Sequence, residues 1–164
     1  MRRVALLLAL TASVVTTPAA ANLWRLAGRG GEAPTRSQFF VDIDSIRRDG
    51  DDMTLVTLSL FETTTASRDF DKSVITRRTN CARMTSQIVR GEYYFQGKLL
   101  QTDTSTGNVL TLQPDSVMYA VLQAACGKGT YLGAPVTTPQ AYWGTSAPAP
   151  APTASPVPYR YGGH

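Results

Sequence analysis

"PDSVMYAVLQAACGKG" (Pro114–Gly129) decides the fold class. Met118, Leu122 and Cys126 recur at i, i+4 and i+8, with Val117, Val121 and Ala125 beside them, the apolar stripe of an amphipathic helix. Pro114 suits a first turn, and Asp115 or Ser116 offers a capping oxygen. Gly127 supplies a residue that ends a helix, and Lys128 a cation for its negative end. One late helix with a single apolar stripe needs a sheet to cover.

Upstream of the helix the period changes to two. "SQFFVDIDSI" (37–46) alternates Phe39, Val41 and Ile43, and "MTLVTLSLFETTT" (53–65) alternates Val56, Leu58 and Leu60 against Thr57 and Ser59. "RRDGDD" (47–52) lies between them as a turn, so the pair reads as a hairpin through Asp49-Gly50. "NLWRLAG" (22–28) reads as a short strand with Trp24 inward, broken by "GRGG" (28–31). "KSVITRRTNCARMTSQIV" (72–89) has no Pro or Gly and reads as one bent strand or two. "EYYFQGKLLQ" (92–101) reads as a hairpin with Gln96-Gly97 at its tip, and "GNVLTLQ" (107–113) as another strand. The class is α+β: an antiparallel sheet of about five to six strands packed on a C-terminal helix.

The two ends of the chain have other compositions. "MRR" followed by the apolar run Val4–Val15, Pro18 and Ala19–Ala21 is laid out as a secretory signal peptide, cleaved after Ala21. The run is shorter than the ~20 residues that span a bilayer. No cysteine follows the cleavage site, so this reading includes no lipid anchor and expects a periplasmic or secreted product. Seven of the ten prolines lie in 134–164, and "TSAPAPAPTASPVP" carries no charge, so 134–164 reads as a disordered tail. One domain is left, over 22–133.

Cys81, in "TRRTNCARM" (76–84), is a reactive thiol, a metal ligand or half of a staple. Export and an even cysteine count favour oxidation, and Cys81 pairs with Cys126, clamping the helix to the sheet. The one histidine, His164, is in the tail, which argues against a histidine base, a Ser-His-Asp triad or a histidine metal site. Two cysteines alone do not complete a zinc site, and no Cys-x-x-Cys is present. The acidic group Asp42, Asp44, Asp49, Asp51 and Asp52 fails the EF-hand spacing, because Ile46 and Arg47 stand where an acidic ligand and Gly are required. The expectation is no enzyme, no metal and no cofactor; the alternative is a periplasmic enzyme or inhibitor whose site does not show in sequence.

The order "FFVDIDSIRRDG", "NCARM", "LQPDSVMYAVLQAAC" resembles the surface-adhesin protein E family of bacterial envelope proteins, at Phe39, Phe40, Asp42, Ser45, Ile46, Cys81, Pro114, Asp115, Ser116 and Cys126. The resemblance covers about 22–132. It implies an antiparallel sheet on a C-terminal helix, a disulfide between the two cysteines and a non-enzymatic role. The best-known members are surface-exposed and bind host matrix and serum proteins such as laminin and vitronectin, so the resemblance implies a binding role of that kind.

Charge gives the last expectation. The formal charge is +4 from 16 basic and 12 acidic residues; removing Arg2 and Arg3 with the leader leaves 14 against 12, or +2. That balance does not indicate nucleic acid. Yet Arg68, Lys72, Arg77, Arg78, Arg83 and Arg90 fall close together. Strand alternation puts Arg77 and Arg83 on one face, opposite Arg78. Arg68, Lys72, Arg77, Arg78 and Arg83 are the candidate ligand-binding basic residues, either a solvated face or a docking surface for an acidic protein or polysaccharide. The reading also allows a homodimer.

Overall fold

The structure, a computed structural model, describes residues 22–141 and 143. The expected leader and most of the expected tail lie outside these residues. Among the described residues seven strands precede one helix: β1 (Trp24–Gly30), β2 (Ser37–Asp49), β3 (Asp52–Phe61), β4 (Lys72–Asn80), β5 (Thr85–Phe95), β6 (Lys98–Asp103), β7 (Leu110–Thr111) and α1 (Val117–Cys126). β1 to β6 lie side by side in chain order, each antiparallel to the next, and β7 shares the outer edge of β5 with β6.

Local chemistry sets the turns. Gly50 (φ 59°) turns β2 into β3, and Gln96 and Gly97 (φ 49° and 79°) turn β5 into β6. Two left-handed central residues match the right-handed twist of the flanking strands. The run 72–89 is two strands. Asn80 Oδ1 accepts from Arg83 N at 2.9 Å, and Met84 takes φ 51°, so side-chain capping makes a turn where neither Gly nor Pro marks one.

"GRGG" does not break β1, which runs through Gly30. Gly28 and Gly30 face the helix: a Cβ on Gly28 would lie 2.8 Å from Val117 Cγ1 and 2.9 Å from Val121 Cγ2. They serve close approach of strand and helix. Ser116 caps α1 by accepting from Tyr119 N, and Gly127 ends it in the left-handed region. Met118, Val121, Leu122 and Ala125 pack on Ala27, Val41, Met53 and Leu55. The disulfide Cys81–Cys126 (S–S 2.07 Å) ties the end of α1 to the β4–β5 turn. Lys128 Nζ donates to Cys81 O at 2.8 Å across the same junction.

The opposite face of the sheet has its own apolar cluster, Trp24, Leu26, Phe40 and Leu58, against which Val136 packs. Trp24 and Val136 exchange two backbone bonds of 2.8 Å, and Leu132 N donates to Leu26 O at 2.8 Å. Residues 132–136 thus close the free edge of β1, and the hydrogen-bonded structure continues past Gly133.

Candidate functional site

The site begins with an irregularity in β2. Asp42 lies opposite Val56, but Arg47 lies opposite Thr54, so five steps on β2 face two on β3. The backbone groups that leave the ladder are taken up locally. Asp44 N donates to Asp42 Oδ1 (3.1 Å), and Ser45 Oγ donates to Asp42 O (2.7 Å) and accepts from Val56 N (2.8 Å). Asp42 is 4 % exposed, and burial, the largest influence, raises its pKa against the opposing effect of the backbone N–H groups of Asp44 and Ser45.

The bulge inverts the strand's alternation, as bulges do when they re-aim side chains. Upstream of it the odd-numbered Phe39 and Val41 face α1. Downstream, Arg48 does: it donates to Ala125 O at the helix end and lies 3.9 Å from Cys81 Sγ. Arg47 is turned to the helix-free face, where its Nη1 donates to Asp44 O (2.7 Å) and Ile46 O (2.9 Å).

On that face Arg47, Thr54, Arg78 and Gln87 form one row across β2, β3, β4 and β5. At a strand spacing of about 4.8 Å, Arg47 and Arg78 stand roughly 10 Å apart. They border a groove of about 350 Å³ with Asp49 and Asp52 at its rim. Asp52 is held by Asn80 Nδ2 at 2.8 Å. Arg78 is exposed and makes no side-chain hydrogen bond or ion pair among the described residues. Arg90, opposite Thr76, is on the same face and pairs with Glu92 at 2.7 Å. The Tyr94 hydroxyl (2.7 Å) and then Arg90 hold the Glu92 carboxyl below its ordinary range.

The structure distributes the five predicted basic residues. Lys72 and Arg78 share the helix-free face, but Lys72 is at its other end, 4.0 Å over the Tyr94 ring. Arg77 points to the helix side, opposite Arg78 as alternation requires, and its Nε donates to the buried Thr57 Oγ1 at 3.1 Å. Arg83 does not join Arg77 on a strand face, because residues 81–84 form the turn. Arg68 lies in the β3–β4 loop, 3.9 Å over the Phe61 ring. Arg47 was missed because "RRDGDD" reads as a turn; the Asp42–Ser45 pair that builds the bulge is the signal in sequence. Among the described residues no group of three or more Cys, His, Asp or Glu is arranged to hold a metal, and no helix is long and apolar enough to cross a membrane.

The surface-adhesin protein E family model matches residues 24–127, from the start of β1 to the end of α1. The chain belongs to this family. It is accordingly an adhesin-like surface protein, and the family's span contains the bulge, the disulfide and the Arg47–Arg78 row. Two solved structures of Haemophilus influenzae protein E are similar to it. Crystal form II is 20 % identical, covering 54 % of this chain and 80 % of that one, with a TM-score of 0.44. The selenomethionine form is 20 % identical, covering 57 % and 80 %, with a TM-score of 0.43. No curated protein matches the chain. The stretch "FFVDIDSI" is, in physical terms, the bulge: Asp42 and Ser45 satisfy its backbone, and the re-aimed Arg47 follows.

Proposed function

We propose that this adhesin-family protein is an exported, non-enzymatic binding module that docks an acidic ligand, protein or polysaccharide, on the helix-free face through Arg47, Arg78 and Arg90. The observation that carries the reading is the row in which Arg47 and Arg78 flank Thr54, with the Arg78 guanidinium unpaired among the described residues. A guanidinium offers five N–H donors in a planar fork that fits carboxylate or sulfate. Two forks roughly 10 Å apart favour a polymer with repeated anions over a single small anion. Family membership supports the role, and the absence of histidine from 22–163 supports a non-catalytic one.

Titration of the isotope-labelled mature protein with a heparin tetrasaccharide tests the reading. Amide shifts are expected at Arg47, Thr54, Arg78, Gln87 and Arg90, with α1 unmoved. Shifts confined to Arg68 and Arg83, or their absence, would contradict it.

A further inference from the structure

We propose that a second site, a shallow pocket under Trp143 at the opposite end of the helix-free face, binds a neutral saccharide. The end of β3, the start of β4 and the β5–β6 turn meet there. The C-terminal segment that pairs with β1 at Val136 goes on to bring Ala141 and Trp143 against Leu60, Lys72 and Gly97. The pocket holds about 390 Å³, within the range of small-molecule sites. Leu60 and Trp143 give it apolar walls, and Glu62, Asp71 and Lys72 a polar rim.

Charge separates it from the arginine groove. Arg36 and Glu62 neutralise each other in a forked pair (Nη2–Oε1 2.5 Å, Nε–Oε2 2.8 Å), and Arg36 Cζ lies 5.8 Å from the Trp143 ring. Asp71 and Lys72 are the remaining opposite charges, so the rim has no net charge. A neutral rim selects against an anionic polymer. Asp71 Oδ2 accepts from Gln96 N at 2.8 Å, which leaves Oδ1 as an acceptor directed by a fixed backbone bond. Lys72 contributes ammonium donors. An indole beside one acceptor and one donor group matches a pyranose, which has a flat C–H face for the ring and hydroxyls that both donate and accept. From Thr54 to Leu60 along β3 is about 20 Å, so the two sites are separate.

The test uses the whole mature chain, 22–164, with maltotriose and the trimer of N-acetylglucosamine as probes. Trp143 is the reporter, since the other tryptophan, Trp24, is 7 % exposed. A saturable change in tryptophan emission is expected, with a dissociation constant on the order of 1 mM for at least one probe and no change across a sodium chloride series. By calorimetry, Trp143→Ala should weaken binding about tenfold or more, Trp143→Phe should retain most of it, and Asp71→Asn should weaken it severalfold with the melting temperature unchanged. No saturation with either trisaccharide, equal binding by Trp143→Ala, or binding lost as salt rises would overturn the proposal.

Discussion

Cys81 and Asp42 show how single residues set stability here. The Cys81–Cys126 bond closes a loop with a separation of 45 residues, for which the chain-entropy account gives about 4 kcal/mol. Cys81→Ser should therefore lower the urea-unfolding free energy by about 2–5 kcal/mol; a loss under ~1 kcal/mol would mean that the helix is held by packing alone. Asp42 acts in the other direction. Its folded pKa is raised above the ordinary 3.8, first by burial. Below pH 3.8 it is protonated in both states and contributes its full share; as the pH rises through the higher folded value, ionisation costs the folded chain more, and that stability is lost. Asp42→Asn keeps an oxygen for Asp44 N–H without the charge. Its melting temperature relative to the parent should rise between about pH 4 and pH 7. An offset independent of pH would show that Asp42 matters for geometry and not for charge.

At the scale of elements, legibility followed local chemistry. α1 was readable because its caps and its apolar stripe agree, and both hairpins with Gly50 and Gly97 were readable because a left-handed turn needs such residues. The β4–β5 turn was not, since Asn80 and Met84 make it without Gly or Pro. "GRGG" misled for a related reason: Gly28 answers a packing demand from a helix some 90 residues later, which local period does not register. Gly28→Ala should cost about 1–3 kcal/mol by overpacking against Val117 and Val121, and a neutral result in chemical denaturation would mean that α1 shifts freely on β1. The pairing of residues 132–136 with β1 was hidden because it depends on the edge at Trp24, not on the segment's own composition. The site was half legible. Alternation separated Arg77 from Arg78, but Arg47 reaches the row only through the bulge, whose register shift appears once β2 and β3 are paired.

The whole molecule has two unlike faces. α1, locked by the disulfide, covers the β1–β3 side of one; the segment through Val136 covers part of the other, where, among the described residues, Arg78 and Arg90 are exposed. That asymmetry makes the arginine row a surface that can be altered without touching the core. The most direct test is retention of residues 22–164 on immobilised heparin over a salt series, parent beside the double variant Arg47→Ala, Arg78→Ala and the single variant Arg77→Ala. The double variant should elute at clearly lower salt with its melting temperature lowered only slightly, because the two bonds that Arg47 gives up lie in solvent. Arg77→Ala, which gives up the bond to buried Thr57, should lose stability and keep most of its retention. If the double variant is retained as strongly as the parent, the row is only a solvated face and the account of this adhesin-family surface is wrong.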